Sequence, residues 1–418
     1  MIVRKTIENE LLEVDRISSL SFHWSLDDKG QTPEEYAKAL RENKLSKADS
    51  IVTDTWATFT DDGEMMACLA VLPYQVAFDG HIVPMAGIGA VCTYPQHRRK
   101  GAVKAMFTSF MDELYEKKTP FSYLYPFSEQ FYASFGYHRS CNSILWEFDL
   151  SAIPNAPIPG TFHLYRPGKD IDDFKTAYQA FAPQWNMMVL RDDLDWKVIK
   201  SADPFKGEMH AFLYKDQHGK PAGYLAFEKK VGKNDRRILN CKEICFDGFD
   251  TLKAIMAFAK TFASDYEAVS FSAPCSLNLG YFCADFPQSD TSCKVKTNGM
   301  ARAIHVYEVL RLARYQGSGN LSLYLHDGFL KKNNGLYQIT FEDGQAKDVA
   351  FTSLPVCAFG QTGQSADVEM TVNVFSSAIL GNYQVADFAY MDGVKIHVNH
   401  EAAQRVFYAK PCWINNYF

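Results

Sequence analysis

At 418 residues the chain is long enough for two to four domains with sizeable cores. Its 47% hydrophobic and 22% charged residues are those of an ordinary soluble globular protein, and a formal net charge of −6 argues against general nucleic-acid binding, which needs a broad basic surface. The ten cysteines show no CxxC spacing and no matching histidine pair, so no metal site and no disulfide framework are expected.

The first residues carry Arg4, Lys5, Glu8 and Glu10 rather than an apolar signal segment, and no apolar run reaches about 18 residues. A cytoplasmic protein without integral membrane contact is the expectation. Ile2–Arg4 reads as a strand, and Leu11, Leu12, Val14, Ile17 and Leu20 follow with helical periodicity. Thr32-Pro33-Glu34-Glu35 reads as a helix start, with an N-cap, a proline at the first position and acids in the first turn. Strands are predicted over Ile51–Trp56 and Met65–Leu72, and Gln75–Phe78 and Ile82–Met85 are predicted to pair across the hairpin turn Asp79-Gly80.

The stretch Ile88–Leu114 organises the rest. An apolar strand, Ile88–Thr93, is ended by Pro95, and His97-Arg98-Arg99-Lys100-Gly101 follow. Val103, Met106, Phe107, Phe110, Met111 and Leu114 then fall on one stripe of a helix. A basic, glycine-containing turn that opens a helix is an anion cradle, because the first N–H groups of the helix lack partners and the dipole there is positive. Read from the residues alone, the same cations also suit a solvated turn that caps a helix.

Phe121–Tyr125 reads as a strand, Ser128–Phe135 as a short helix and Ile144–Leu150 as the last strand of this unit. Thr161–Tyr165, Ala211–Tyr214, Ala222–Phe227, Ile238–Phe246, a helix over Thr251–Phe262 and Ala268–Phe271 then repeat the first order of elements. Here the turn is Asp247-Gly248-Phe249-Asp250, with two acids and no arginine, which suits a scaffold rather than a pyrophosphate site. From about Asn298 hairpins dominate, with strands at Leu321–His326, Gly335–Thr340, Asp348–Phe351 and Val368–Val374, and helical patterns at Phe375–Leu380 and Ala402–Phe407.

The segment GAVCTYPQHRRKGAVKAMF resembles the acyl-CoA signature of the GNAT N-acetyltransferases, and YLYPFSEQFYASFGY resembles the segment that follows it in the Eis (enhanced intracellular survival) branch. That resemblance implies an α/β (α+β) protein with tandem GNAT folds followed by a sterol-carrier-protein-like C-terminal domain. The domains would be a catalytic one over 1–150, a degenerate GNAT-like one over 151–297 and a last one over 298–418 that ends in the active site. It implies acetyl-CoA as acyl donor, with a primary amine of a polycationic, aminoglycoside-like small molecule or a lysine side chain as acceptor, and a homo-oligomer, a hexamer. Val91, Cys92 and Thr93 would face the pantetheine and thioester; Arg98, Arg99, Lys100, Gly101, Ala102, Val103 and Lys104 would face the pyrophosphate. Phe127 and Ser128 would meet the acyl-CoA on the next segment. Tyr132 matches the general acid, and the carboxylate of Phe418, at the end of an apolar tail, matches the base.

Two features depart from the family pattern: Lys100 stands where a third arginine is common, and YLYPFSEQF is bulky where others are small, which bears on the acceptor pocket's shape. Among rivals, Tyr137 reads as a core tyrosine, His97 as a phosphate neighbour, Cys92 as buried packing, and Asp27, Asp28 and Glu401 as surface acids. The alternative function is a non-catalytic carrier of CoA or of an apolar ligand.

Overall fold

A seven-stranded sheet in the computed structural model carries β1 (Ile2–Lys5), β2 (Asp54–Phe59), β3 (Met65–Phe78), β4 (His81–Thr93) and β5 (Phe121–Leu124), then a strand over Met300–Ala303, then β6 (His138–Arg139). The structure describes residues 1–42, 54–207, 209–283, 290–355, 359–360 and 366–418, so the start of the expected strand Ile51–Trp56 lies outside the described residues. Asp79 and Gly80 close the predicted hairpin with φ of 48° and 89°, the left-handed pair that a two-residue turn requires.

Helices α1 (Leu11–Phe22), α2 (Pro33–Glu42), α3 (Ala102–Glu116) and α4 (Glu129–Ala133) accompany this sheet. The predicted stripe of α3 buries Met106, Phe107, Phe110, Met111 and Leu114 against Trp56, Leu69, Val71, Ile88 and Leu124. A second cluster holds Val14 and Ile17 of α1 with Ala57, Phe59, Met65, Cys68 and Cys92. Alternation along β2 and β3 sends neighbouring residues to different clusters.

The residues fall into two compact units: Met1–Ser140, Gly299–Lys410 and Asn416–Phe418 form one, and Cys141–Asn298 with Pro411–Asn415 form the other. In the first, a five-stranded sheet runs in the order Gln345–Ser353, Gly335–Glu342, Gly319–His326, Val368–Thr371, Val394–Ile396. The strand expected over Val368–Val374 stops at Thr371, whose hydroxyl accepts the Val374 N–H and opens a helix over Val372–Ala378. Buried valines at alternate positions suit either element, and the threonine cap decides.

Ser143–Asp149 is a strand, as its pattern predicts, but it does not complete the first sheet. It pairs with Ala268–Pro274 and Ser292–Lys296 in the second unit. Met300–Ala303 takes the place between β5 and β6. Its Arg302 is fully buried and ion-paired with the equally buried Asp327 at 2.8 Å, and it donates to the carbonyl of Phe135 just beyond α4. Removing one partner of such a pair strands a buried charge, at a cost of about 3–5 kcal/mol.

The second unit repeats the first sheet's plan. Its strand order is Ser292–Lys296, Ser143–Asp149, Ala268–Pro274, Arg237–Phe246, Pro221–Val231, Met209–Lys215, Thr161–Leu164. Arg237–Phe246 and Ala268–Pro274 are parallel and joined by a helix over Phe249–Lys260, just as β4 and β5 are parallel and joined by α3.

Tyr132, Tyr137 and Tyr178 are buried, and loss of solvent is the main reason that each phenol sits above the ordinary tyrosine range. In the unfolded chain they would ionise near pH 10, shedding protons that the folded chain keeps. Their stabilisation is therefore complete below about pH 10 and lost as pH rises further. Urea midpoints measured from pH 8 to 11 should fall above pH 10, and the fall should be shallower in Tyr137→Phe.

Candidate active site

Strand β4 breaks its register where the sequence first suggested chemistry. Cys92 stands opposite Cys68 and Gly89 opposite Ala70, so Ala90 and Val91 together face the single residue Leu69. This is a β-bulge, and Ala90 adopts φ 48° to make it. On the other side, pairing of β4 with β5 ends at Ile88 and Leu124. Beyond that point the backbone of Gly89–Thr93 has no strand partner on this side among the described residues. A bulge beside two diverging strands turns ladder groups outward into a cleft.

The cleft is a cavity of about 750 Å³. Val91, Cys92 and Thr93 line it from β4; Arg98, Arg99, Gly101, Ala102, Val103 and Lys104 line it from the turn and the first turn of α3. Phe127 closes another part of the wall. Of the residues singled out in the sequence for the acyl donor, Lys100 and Ser128 lie outside the lining. Ser128 instead caps α4, accepting the Phe131 N–H at 3.3 Å.

The turn has the backbone geometry and charge that suit an anion. Arg99 and Gly101 both have positive φ, 61° and 85°, and α3 begins at Ala102 without a side-chain cap. Its first N–H groups are left for a ligand. A β-carbon at Gly101 would meet nothing within 4 Å, so the backbone there is open to close approach. Arg98, Arg99, Lys100 and Lys104 are exposed and make no ion pair with a described residue. His97 is buried in the cavity wall, 3.3 Å from the Glu64 carboxylate, yet neither ring nitrogen has a hydrogen bond. Uncompensated cations, free helix N–H groups and an unsatisfied imidazole fit the pyrophosphate of CoA.

In the second unit the corresponding helix start borders a cavity of about 660 Å³ lined by Asp216, Asp247 and Asp250. Asp247 accepts the Thr251 hydroxyl at 2.6 Å.

Tyr132 lies on α4, 3% exposed, with ring centroids 5.1 Å from Phe131, 5.4 Å from Phe127 and 6.1 Å from Phe107. Its hydroxyl makes no hydrogen bond to a described residue. Burial raises its pKa, with the Tyr137 phenol and the Cys92 thiol adding to the rise. Tyr137 is the satisfied one: it is fully buried and shares a 2.7 Å hydrogen bond with Ser122, which donates to the Ala86 carbonyl.

Phe418 is drawn to β4 by three tyrosines. Its ring is 4.8 Å from Tyr74, 5.4 Å from Tyr125 and 6.4 Å from Tyr123. Tyr125 also donates its hydroxyl to the Asn416 carbonyl and lies 4.5 Å from Tyr417 with the two rings tilted by 36°. Two glycines make the seat. A β-carbon at Gly87 would lie 2.7 Å from the Phe418 ring, and one at Gly89 would lie 3.7 Å from the Phe418 backbone carbonyl carbon. That carbon thus sits over the residue just before the bulge. Ring pairs at about 0.5–1.5 kcal/mol each offset the cost, about 1–2 kcal/mol per residue, of fixing a chain end.

Ser21, Phe22, Phe131 and Phe135 also line the cavity and escaped the sequence reading. Phe127, Phe131 and Phe135 recur every four residues, a signal that was available. Phe22 is an exposed apolar residue at the end of α1, and nothing in the sequence tells where it points.

Within the mixed α/β fold, the bulged strand, the basic turn at a helix start and the cleft between parting strands lie in a stretch that matches an acetyltransferase (GNAT) domain, which makes the chain an acyltransferase. Residues 3–140 match the model of the acetyltransferase (GNAT) domain, and residues 306–415 match that of the sterol carrier protein domain. The donor that such a domain implies is acetyl-CoA. No curated protein matches the chain. Among solved structures, a conserved protein of unknown function from Enterococcus faecalis V583 is similar at 19% identity and TM-score 0.80, covering 100% of this chain and 99% of that one. A GCN5-related N-acetyltransferase from Anabaena variabilis ATCC 29413 is similar at 19% and 0.80, covering 100% of both chains. Eis1 from Mycobacterium abscessus is similar at 15% and 0.78, again over 100% of both. At these identities the likeness is one of fold.

Proposed function

We propose that the protein is an Eis-like N-acetyltransferase that moves acetyl from acetyl-CoA to a primary amine of a polycationic small molecule or a lysine side chain. The observation that carries this reading is the seat of Phe418, which brings a carboxylate to β4 beside the bulge and the acyl-donor cleft. In this reading the catalytic domain spans 1–150, a degenerate copy 151–297, and the last domain, 298–418, ends in the site.

The Phe418 carboxylate takes a proton from the acceptor ammonium, directly or through water. With a reference pKa of about 3.3–3.7 it is ionised at neutral pH and also attracts the cation. The freed amine attacks the thioester carbonyl, and backbone N–H groups at the bulge stabilise the charge developing on its oxygen. Tyr132 gives its proton to the leaving sulfur. Burial keeps that phenol protonated at neutral pH but also makes it a weaker acid. The match holds because the thiolate leaves among Phe127, Phe131 and Phe135, where loss of water raises its own proton affinity.

Arg98, Arg99, Gly101–Lys104 and Lys100 hold the pyrophosphate. A charge-assisted hydrogen bond of this kind contributes about 1.5–3 kcal/mol. Arg99→Ala is therefore expected to raise the KM for acetyl-CoA about tenfold or more with kcat little changed, as initial rates at varied acetyl-CoA will show.

The function itself is tested by release of free CoA thiol from acetyl-CoA across a panel of amines that includes aminoglycosides, polyamines and lysine peptides. Acceleration by polycationic amines is the expected result. If acetyl-CoA binds and no amine accelerates release, the proposal fails. The same preparation, by sedimentation, tests the proposed hexamer.

A further inference from the structure

Two cysteines that stand far apart in the sequence meet inside the second unit. The sulfurs of Cys141 and Cys412 are 3.2 Å apart, both residues are buried, and 271 residues separate them. The tail around Cys412 is held on both sides. Asn186 donates its N–H to the Pro411 carbonyl at 2.8 Å, and Trp413 donates back to the Asn186 carbonyl at 2.9 Å. The Trp413 indole lies edge-on to Phe181 and Trp185, and Asn298 donates its side-chain amide to the Ile414 carbonyl at 2.8 Å. Cys141 is held in the left-handed region, φ 54°, which a residue with a β-carbon rarely adopts. Strain kept at a specific residue is a signal that its side-chain direction is under constraint.

We propose that Cys141 and Cys412 are a redox pair that closes to a disulfide under a hydroperoxide and fastens the tail segment Pro411–Asn415 within the second unit. A sulfur–sulfur bond is about 2.05 Å long, so the two side chains need to approach by little more than 1 Å. One thiolate attacks the peroxide oxygen, giving a sulfenic acid and hydroxide. The second sulfur then attacks the sulfenic sulfur, and water leaves. In sum, two thiols and one hydrogen peroxide give one disulfide and two waters, and a dithiol reverses the bond. Nothing in this depends on the chemistry assigned to Phe418.

The test is stepwise oxidation of the full chain with hydrogen peroxide, then proteolysis without reductant and mass spectrometry, with hydrogen exchange on the same samples. The expected result is a linked pair of peptides carrying Cys141 and Cys412, two hydrogens lighter than their sum and released by dithiothreitol. Exchange at the Trp413 amide should slow about tenfold or more in the linked form. Cys141→Ser should lose the link and the slowing together. A Cys275–Cys412 or Cys68–Cys92 link in its place overturns the proposal. So does no link once the exposed Cys275 and Cys293 are oxidised, or a link that leaves Trp413 exchange unchanged.

Discussion

A short extension after Phe418 is expected to lower turnover about 10²-fold or more while leaving the affinity for acetyl-CoA within about threefold. The extension turns the Phe418 carboxylate into a neutral amide and removes the proposed proton acceptor. It leaves the basic turn between β4 and α3 untouched, since among the described residues no hydrogen bond, ion pair or ring contact joins that turn to Asn416–Phe418. Turnover at saturating amine and calorimetric binding of acetyl-CoA measure the two halves separately. Phe418→Ala keeps the carboxylate but loses three ring contacts, so its deficit should be smaller and should grow with temperature as the end detaches. Gly87→Val works from the other side. It leaves the tail chemically intact but puts side-chain atoms where the Phe418 ring lies, 2.7 Å from the first added carbon. It should reproduce the loss of the extended chain. Wild-type turnover in the extended protein would remove Phe418 from the mechanism.

Local signals in the sequence are legible where one of them stands alone, and they mislead at Val372–Val374, where the Thr371 cap overrides the alternation. Asp79-Gly80 specifies its own turn, and the α3 stripe specifies its buried face. The cluster from Val91 to Lys104 lines one cavity because it is nearly continuous along a strand, a turn and a helix start. Ser143–Asp149 shows the limit. Its alternation gives a strand with a buried face but carries no label for the sheet that covers it, and its neighbours are more than a hundred residues away in the chain. Met300–Ala303 is four buried residues including an arginine, and only Asp327 and the Phe135 carbonyl make that strand intelligible. The seat of Phe418 was illegible for the same reason. Gly89 reads as a small residue of a buried strand and Gly87 falls between two expected strands, and their use becomes visible only when Phe418, some three hundred residues later, lies against them. Cys141 and Cys412 likewise carry no mutual spacing signal. Pairings of this length are set by burial and sheet register, which a single sequence does not display.

Tyr132→Phe is expected to lower turnover by about 10²–10⁴-fold, against a few-fold at most for Tyr137→Phe. The two phenols lie on one short segment, are both buried and are both held above the ordinary tyrosine range, so their pKa values do not separate them. Their hydrogen bonds do. Tyr137 is tied to Ser122 at 2.7 Å in the core, and losing that bond costs stability of about 1 kcal/mol without touching the cleft. The Tyr132 hydroxyl has no such partner among the described residues and stands within electrostatic reach of Cys92 in the cavity wall, although Tyr132 is itself 3% exposed and lies behind the lining residues Phe127 and Phe131 rather than among them. Tyr132→Phe should therefore keep the urea midpoint and the acetyl-CoA affinity while kcat collapses, and Tyr137→Phe should lower the urea midpoint while leaving kcat and the acetyl-CoA affinity nearly unchanged. The pH profile adds a second reading. With its pKa raised, Tyr132 remains protonated through pH 10, so the wild-type rate should rise with pH as the acceptor ammonium loses its proton and show no alkaline fall below that point. A fall centred near pH 8–9, or a larger loss of turnover in Tyr137→Phe than in Tyr132→Phe, would transfer the role of proton donor away from Tyr132.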